Sequence, residues 1–578
     1  MEERIEYLIR CAQKAGFPDL DSAMIAFYTS PFDEGSGCSI TQHLSRKRCL
    51  PKLLAALRSH AESWRSWEAH AYQDEILKSA ESLLLAEMRS TLALGADKLL
   101  LSASASNSRD CNWSAVSHQV RDEVLYCASP FPKGTMSAFP FEVKEHVIPC
   151  QHIRAYPRAT AHEQEEVLHL SVKQYTPRDN PNPRVGDVTI IGTHAQGFPK
   201  ELYEPLWAEI HSRAKSAGFS IRSIWFADVA NQGASGVLNE HKLGNEPCAN
   251  DHARDLLHMV NTFRDQMIRP IIGIGHSMGG AILVNLALLH PRLMESLILI
   301  DPIIHRRLFA GGYRTPALAS SRRRDVWPSR AAAAEDFRKN KYYRRWDSRV
   351  FALWIQHGLR DLPTTVHPRP AGAAPRPHDP FADGVTLTTT KHQEVFTFLR
   401  PAFDPHTEPE LDARLGGVDG CPWSAYAPAD LVPEAAVPGA PFERAEPVIT
   451  FQMLPFVRPS VLYVFGGESH YTACEPTADK VGATGVGVGG SGGAAKGRVA
   501  EVMLDGVGHL IPMEAVAKTA DVSADWLASE LAAWHVNEAA ERSEWAYVPD
   551  EQKRTISARY LEMLEGQKKD KTVHVAKL

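Results

Sequence analysis

The sequence of 578 residues lacks the features that mark membrane, disulfide-rich and metal-binding proteins. No uninterrupted apolar run approaches the roughly 20 residues that a membrane-spanning helix needs. The nine cysteines are scattered without a CxxC pair, which supports neither a zinc site nor a disulfide framework and favours free thiols in a reducing compartment. The formal net charge is −6 and the basic residues are dispersed, so no surface for nucleic acid is indicated. We therefore expect no transmembrane segment, no metal site and no nucleic-acid partner.

The N-terminal part of the chain has little in common with the rest. It opens with acidic residues and carries apolar residues at helical spacing, which indicates an amphipathic helix rather than a signal peptide. A second amphipathic stretch follows at 72–90, and the pattern then lapses into small, polar residues at 101–117. We predict a helical region at 1–95, a linker at 96–138 and a new domain at 139–578.

From residue 139 onwards, strand-like apolar runs alternate with helical runs. Such alternation is typical of a mostly parallel sheet with helices on both faces, so we predict the α/β class. The alternation of strand-like and helical runs stops after residue 301, where Pro- and Arg-rich segments with helical pieces begin. It resumes near residue 458. A long insertion between two core strands builds a cap over the carboxyl edge of a sheet, and we predict a large helical cap at about 302–457.

A glycine-rich stretch at 481–497 invites interpretation as a phosphate-binding loop. It lacks the GxxxxGK[ST] spacing, because Lys496 is followed by Gly497. We predict a flexible loop without a nucleotide.

One serine occupies a position suited to a nucleophile. Residues 270–291, PIIGIGHSMGGAILVNLALLHP, place Ser277 after an apolar β-rich run and before an apolar helical run. A GxSxG motif alone is a weak signal, but a strand–turn–helix setting is what a nucleophile elbow requires. Gly275 and Gly279 leave room for the neighbouring chain, and the Met278 N–H points to where an oxyanion would form. We predict that Ser277 is a nucleophile rather than a hydroxyl in an ordinary turn.

A serine hydroxyl needs a base and a carboxylate to become reactive. His509 is the best placed of the 25 histidines, directly after a strand-like run and last in the order serine, acid, histidine. Two carboxylates compete for the third role. Asp301 ends the strand after the elbow helix, and Glu468 ends the later strand where the acid more commonly lies. We favour Asp301, since a triad needs one buried carboxylate to hold the histidine tautomer, and keep Glu468 as the alternative.

A second oxyanion donor is expected in the loop after an early strand. The stretch GTHAQGFPKELYEPLW supplies such a loop, and its candidate oxyanion and substrate-binding residues are His194, Gln196 and Phe198. We favour the Gln196 N–H, with Phe198 as its competitor. Downstream, a turn with Asp228 and Ser235 resembles a D-x-x-G-x-G-x-S motif, for which we prefer a purely structural role.

The chain from about residue 139 resembles the fungal peroxisomal α/β-hydrolase family, which includes the yeast peroxisomal lipase and the AK-toxin biosynthesis hydrolase. The stretches GTHAQGFPKELYEPLW, GIGHSMGG, LLHPRLMESLILIDPII and GHLIPMEAV carry the resemblance. It implies an α/β-hydrolase fold, a serine mechanism, and for the toxin branch an ester- or thioester-cleaving step in secondary metabolism. The loop reads HAQGF where the family pattern is HANGF, a change that leaves a backbone donor available.

Residues 1–95 resemble a different family, the helical tail that follows the basic zipper in some fungal bZIP transcription factors. The basic region and the heptad leucines of those proteins are absent, so the resemblance does not imply DNA binding.

The last three residues, Ala576, Lys577 and Leu578, are close to the C-terminal SKL address that the peroxisomal import receptor reads. We therefore expect import into the peroxisome, and otherwise a cytoplasmic location. The predicted function is a serine hydrolase without metal or organic cofactor. It would cleave a carboxylic ester or thioester of a small lipophilic acyl substrate, in peroxisomal toxin or other secondary-metabolite biosynthesis.

Aromatic residues of the cap are consistent with a lipophilic substrate, although they equally suit packing of the cap on the core: Trp327, Tyr342, Tyr343, Trp346, Phe351 and Trp354. Two other functions stay open. One is a peroxisomal lipase or acyl hydrolase of general lipid metabolism. The other is a non-enzymatic regulatory protein that uses the hydrolase fold as a binding platform.

Overall fold

The computed structural model describes residues 139–307, 313–369, 384–401 and 442–566. The predicted helical region at 1–95, the predicted linker at 96–138 and the C-terminal tripeptide lie outside these ranges.

The strands within these ranges are β1 (Phe141–Pro149), β2 (His169–Pro177), β3 (Val188–Thr193), β4 (Ile221–Ala227), β5 (Ile271–His276), β6 (Ser296–Ile300), β7 (Val326–Trp327), β8 (Leu359–Asp361), β9 (Val385–Leu387), β10 (Arg400–Pro401), β11 (Phe442–Glu443), β12 (Ser460–Gly466) and β13 (Val499–Leu504). The main sheet has the order β1-β2-β4-β3-β5-β6-β12-β13. All neighbours from β4 to β13 are parallel, whereas β2 pairs antiparallel with both β1 and β4. The predicted α/β class with a mostly parallel sheet is confirmed.

The helices are α1 (Glu204–Ala214), α2 (Gly233–Leu238), α3 (Ala249–Thr262), α4 (Met278–Leu289), α5 (Arg314–Arg322), α6 (Arg330–Lys339), α7 (Ser348–His357), α8 (Lys391–Phe398), α9 (Glu446–Met453), α10 (His470–Cys474), α11 (Thr477–Ala483), α12 (Ile511–Glu514), α13 (Val516–Tyr547) and α14 (Ala558–Gly566). Within the described ranges, none of them has the length and apolar character needed to cross a membrane.

Two hydrophobic cores cover the two faces of the main sheet. The central strands β3 to β6 and β12 are buried at every residue, as continuous apolar strands between two helical layers must be. On one face Trp207 of α1 packs in a cluster with Leu527 of α13. On the other face Leu256 of α3 packs with Ile282 of α4. This double burial holds the carboxyl ends of the strands in fixed positions relative to one another.

The chain leaves the main sheet after Ile300 and returns to it at Ser460. The described parts of this insertion contain α5 to α9 and a small sheet in the order β7-β9-β8. Helices α5 and α8 pack against each other, and α7 packs against the short 3-10 helix Lys200–Tyr203 that follows β3. The insertion therefore lies over the carboxyl edge of the sheet, where the predicted site residues follow β3, β5, β6 and β13.

The glycine-rich stretch at 481–497 is more ordered than the flexible loop that we predicted. Helix α11 covers its first residues. The backbone N–H groups of Gly485, Gly487 and Ser491 donate to carbonyl oxygens within residues 454–457. Glycine permits this compact path because several of these residues have positive φ, a region that other residues rarely adopt.

Candidate active site

Ser277 lies in a strained turn between β5 and α4. Its φ of 57° and ψ of −119° are in the left-handed half of backbone space, which a non-glycine residue occupies only when its surroundings enforce it. A Cβ on Gly275 would lie 2.6 Å from Thr193 Oγ1, and one on Gly279 would lie 2.5 Å from the Thr193 carbonyl oxygen. The two glycines are therefore required for β3 to pass beside the turn.

The structure brings Ser277, His509 and Asp301 together at the carboxyl edge of the sheet. The Ser277 Oγ lies 2.9 Å from His509 Nε2, and His509 Nδ1 lies 2.6 Å from Asp301 Oδ2. Ser277 and Asp301 are buried, and 17% of the His509 side chain is exposed. The hydrogen-bond chain can move the serine proton to the imidazole while the carboxylate holds the ring.

Asp301 is held from two sides. Its Oδ2 atom also accepts a hydrogen bond from Ser469 Oγ at 2.5 Å, in addition to the contact with His509. Burial alone would raise the pKa of Asp301, but the hydrogen bonds from His509 and Ser469 outweigh burial and lower the pKa. The carboxylate therefore stays ionised beside the imidazole.

Glu468, the alternative acid, does not reach His509. Its carboxylate accepts a hydrogen bond from Arg345 at 2.9 Å, and 55% of its side chain is exposed. The loop after β12, which carries Glu468, contributes Ser469 to the site as a hydrogen-bond donor to Asp301.

The oxyanion donors predicted from the sequence fall into two groups. The Met278 N–H is in the first turn of α4, where backbone N–H groups have no partner within the helix. In the loop after β3, the N–H groups of Ala195, Gly197 and Phe198 donate to Tyr203 Oη, Gln232 Oε1 and the Ala195 carbonyl oxygen, respectively.

Among the residues that the structure describes, no acceptor binds the Gln196 N–H in this loop, and Gln196 and Met278 both line the cavity above Ser277. Phe198 also lines the cavity, but its N–H closes a turn.

His194 does not line the cavity. It is fully buried, its Nε2 atom accepts a hydrogen bond from the Val229 N–H at 3.0 Å, and its Nδ1 atom lies 2.8 Å from the Ala195 carbonyl oxygen. Burial lowers the pKa of His194, so the ring is neutral. His194 does not fit the predicted oxyanion or substrate-binding role, because both ring nitrogens bind the protein itself. These contacts fix the loop that carries Gln196.

The turn at Asp228 also has a structural role, because its side chain and carbonyl oxygen bind other groups of the protein. Asp228 is fully buried and accepts hydrogen bonds from the Lys200 Nζ at 2.7 Å and the Lys200 N–H at 2.9 Å. Ser235 Oγ donates to the Asp228 carbonyl oxygen.

A cavity of about 730 Å³ opens above Ser277, between the sheet edge and the cap. Three of the predicted cap aromatics line it, Tyr342, Tyr343 and Trp354. Trp327 instead packs against Phe337 in the cap. The cap aromatics therefore divide between a lipophilic wall and packing inside the cap.

Comparison with known proteins identifies the family. The chain is 42% identical over 405 residues to the type I acyl-CoA thioesterase mpaH' of Penicillium brevicompactum, a match covering 68% of this chain and 89% of that protein. The chain belongs to the fungal α/β-hydrolase family of that thioesterase. The serine aminopeptidase S33 family model matches residues 222–346 of this α/β-hydrolase. The hydrolase is also 26% identical over 314 residues to the abhydrolase domain-containing protein AKT2 of Alternaria alternata, covering 52% of this chain and 99% of that protein.

The N-terminal part of this hydrolase has other relatives. Residues 2–63 match the family model of the ZEB2-like helical domain. The chain is 43% identical over 90 residues to the transcription factor lcsF of Purpureocillium lilacinum, a match covering 16% of each protein. The predicted resemblance of this region to fungal transcription factors is confirmed.

Three residues of the hydrolase site, Ser469, His276 and Tyr203, are not predicted from the sequence. His276, the last residue of β5, places its Nε2 atom 2.9 Å from the His509 carbonyl oxygen and its Nδ1 atom 2.9 Å from Tyr203 Oη. A carbonyl only accepts, so Nε2 carries the proton and Nδ1 accepts the Tyr203 O–H. Burial, followed by the charge of His509, lowers the pKa of His276 to about 3. A neutral imidazole therefore connects the loop of Ala195 to the loop of His509.

The hydrolase site has no metal-binding cluster in the part of the chain that the structure describes: no three His, Cys, Asp or Glu side chains there could hold an ion.

Proposed function

We propose that this chain is a serine hydrolase that cleaves the thioester of a lipophilic acyl group, with coenzyme A as the acyl carrier. One observation carries the proposal: Ser277 Oγ lies 2.9 Å from His509 Nε2 at the floor of a cavity of about 730 Å³. The 42% identity to a type I acyl-CoA thioesterase supports the thioester over the carboxylic ester.

The proposed mechanism uses two half-reactions. His509 Nε2 takes the proton of Ser277 as Oγ attacks the thioester carbonyl, and the oxyanion accepts hydrogen bonds from the N–H groups of Met278 and Gln196. Collapse of the tetrahedral intermediate breaks the carbon–sulfur bond, and His509 protonates the departing sulfur. The acyl group is then an ester of Ser277. Water attacks this ester with His509 as base, which releases the carboxylic acid and restores the serine hydroxyl.

In this mechanism Asp301 orients His509 and stabilises the imidazolium. The hydrogen bonds that lower its pKa keep Asp301 ionised, so the positive charge on His509 is compensated at the moment it forms. Ser469 has a positioning role, because it binds the same Oδ2 atom as His509 does.

The cavity mouth supports a phosphorylated carrier. Lys341 and Arg345 line the cavity and are exposed to solvent, and the neighbouring Arg344 is exposed as well. Arg345 is paired with Glu468 and Glu514. Lys341 and Arg344 have no carboxylate partner among the described residues, so they remain available for the phosphates of coenzyme A.

We further propose that the enzyme acts in peroxisomal secondary metabolism, and that residues 139–578 carry the activity. The C-terminal tripeptide Ala576, Lys577, Leu578 supports import into the peroxisome. A fluorescent protein fused to the N-terminus should label peroxisomes in fungal cells, and a fusion lacking the tripeptide should stay in the cytoplasm. Cytoplasmic fluorescence of the complete fusion would refute this location.

Release of free thiol from a series of acyl-CoA thioesters tests the proposed function. Wild-type protein should hydrolyse at least one medium- or long-chain acyl-CoA, and Ser277→Ala should lose at least ~10³-fold in kcat. Ser212→Ala, a change at an exposed serine of α1, is the control and should keep wild-type activity. Ser277→Ala activity within threefold of wild type would refute the proposed nucleophile, and no turnover of any thioester or ester would favour a binding function.

A further inference from the structure

The catalytic cavity has an open end and a closed end. Lining residues that are exposed to solvent, which include Lys341, Tyr342 and His470, form its mouth. Arg444 and Glu446 also line it, and both are buried. The acyl chain of a substrate bound at Ser277 can extend to this buried part of the cavity wall.

This buried end is polar. The Arg444 guanidinium donates to the carbonyl oxygens of Pro247 and Phe396 and to Glu446 Oε1, the last at 2.9 Å. The arginine compensates the charge of Glu446 and satisfies one of its two carboxylate oxygens. Charges are buried at the end of a lipophilic cavity only with such pairing, because desolvation of an unpaired charge is expensive.

Three polar atoms at this end, Glu446 Oε2, Arg444 Nε and Tyr313 Oη, have no hydrogen-bond partner among the described residues. All three atoms are inaccessible to solvent, and their residues line the cavity. Leaving a buried polar group unpaired costs about 1–3 kcal/mol, so native proteins rarely keep several of them in the wall of one cavity without a ligand. Burial, then Tyr471, then the charge of Glu446 raise the pKa of Tyr313, so its hydroxyl remains a donor.

The chemistry of these atoms defines the group that would satisfy them. Glu446 Oε2 only accepts, whereas Arg444 Nε and the Tyr313 hydroxyl each have a proton to donate. A hydroxyl group donates one proton and accepts at the same oxygen, so it fits this set of atoms. A carboxylate would add a second negative charge beside Glu446, of which Arg444 balances only one, and a carbonyl has no proton for Glu446 Oε2.

The polar end is close enough to Ser277 for an acyl chain to span the gap. The Ile303 N–H donates to the Ser277 carbonyl oxygen at 3.1 Å, and the His305 N–H donates to the Pro447 carbonyl oxygen at 3.2 Å. The two residues from Ile303 to His305 cover at most ~7 Å of extended chain. Glu446 directly precedes Pro447, so the nucleophile and the polar end are connected through a short segment.

We infer that the enzyme is specific for acyl groups that carry a hydroxyl group away from the thioester, bound between Glu446 Oε2 and the Tyr313 hydroxyl. The inference rests on the proposed function, because it assumes that the acyl chain occupies this cavity. A site built to bind a hydroxyl discriminates strongly against the analogue that lacks it, since its own polar groups are then left unpaired.

Pairs of ω-hydroxyacyl-CoA and unsubstituted acyl-CoA thioesters of equal chain length, from octanoyl to hexadecanoyl, test the inference. At the chain length that reaches the polar end, wild-type kcat/KM should favour the hydroxylated partner by at least ~10-fold. Tyr313→Phe should reduce this preference by about tenfold, through a lower kcat/KM for the hydroxylated thioester. Tyr342→Phe, at a tyrosine of the mouth, should keep the preference and serves as the matched control.

Glu446→Gln places an amide NH2 at the position of Oε2 when the amide oxygen keeps the bond to Arg444, so it should also reduce the preference. Because it changes the partner of Arg444, a melting curve must accompany it. Tyr313→Phe keeps the inference falsifiable if that variant does not fold. Equal kcat/KM values within every pair would overturn the inference and leave the proposed function intact. Calorimetric binding of the same pairs to Ser277→Ala protein gives the preference without turnover, so a failure of hydrolysis does not hide it. Equal dissociation constants for each pair would also overturn the inference.

Discussion

His276 and His509 are joined through an imidazole Nε2 and a backbone carbonyl oxygen that lie 2.9 Å apart. The residue that precedes the proposed nucleophile therefore holds the backbone of the proposed base. On its other side His276 accepts from Tyr203, whose hydroxyl oxygen accepts the Ala195 N–H at 2.8 Å. Through one buried ring, the turn at Ser277, the loop after β3 and the loop of His509 are fixed relative to one another.

Tyr203→Phe should lower kcat on the order of 10²-fold and leave KM nearly unchanged, because it removes the donor to His276 and lets the two loops shift. Steady-state kinetics with one acyl-CoA measures the split. Tyr463→Phe is the control, since it removes a comparable buried hydrogen bond to Thr484 away from the site. A KM effect alone, or an equal kcat loss in both variants, would show that Tyr203 does not position the catalytic loops.

The buried neutral His276 predicts a pH dependence of stability. Its pKa is about 3 in the folded protein and near 6.5 in an unfolded chain, so the unfolded state binds the extra proton between these values. The free energy of unfolding should therefore fall as the pH falls from 6.5 to about 3, by up to ~1.4 kcal/mol per pH unit for this group. Denaturant unfolding at several pH values measures the slope. The slope should be shallower in His276→Phe, and an unchanged slope would contradict the assignment.

The serine turn was predictable from the sequence because its requirements are local. Gly275 and Gly279 have no space for a Cβ, and such a constraint leaves a short, fixed spacing in the chain. The order of apolar runs likewise predicted the α/β class, because double burial makes the central strands apolar at every position.

The choice between the two carboxylates was not predictable in this way. β6 and β12 are neighbours in the sheet, so Asp301 and Glu468 emerge beside each other at the same edge. Only the paths of the chain after the strands decide which one meets His509. Burial of His194 behind its loop and the pairing of Arg444 with Glu446 inside the insertion also depend on contacts between distant parts of the chain.

Substitution of the two carboxylates separates their roles. Asp301→Asn should lower kcat by ~10⁴-fold, because the amide no longer holds the reactive tautomer of His509 or compensates its charge. Glu468→Gln should retain activity within about threefold, since its partner is the partly exposed Arg345 and such pairs contribute little. Kinetics of both variants with the same acyl-CoA provides the measurement. The opposite pattern would make Glu468 the acid.

The cationic residues at the cavity mouth predict that kcat/KM depends on the phosphate groups of the acyl carrier. The double variant Lys341→Glu, Arg344→Glu should lose about tenfold in kcat/KM for an acyl-CoA at low ionic strength, and added salt should reduce the difference. The same acyl group on N-acetylcysteamine, which has no phosphate, should be hydrolysed equally by variant and wild type. Equal losses on both carriers would show that these charges stabilise the cap instead of binding phosphate.

Fluorophosphonate labelling of the purified full-length protein, with the modified peptide located by mass spectrometry, tests the central claim most directly. The reagent reacts only with a serine that a neighbouring base has activated. We predict one phosphonylated residue, Ser277, and no adduct in Ser277→Ala or in a wild-type sample denatured before labelling. A folded wild-type protein that takes up no label, or that is labelled at a different serine, would contradict the proposed nucleophile.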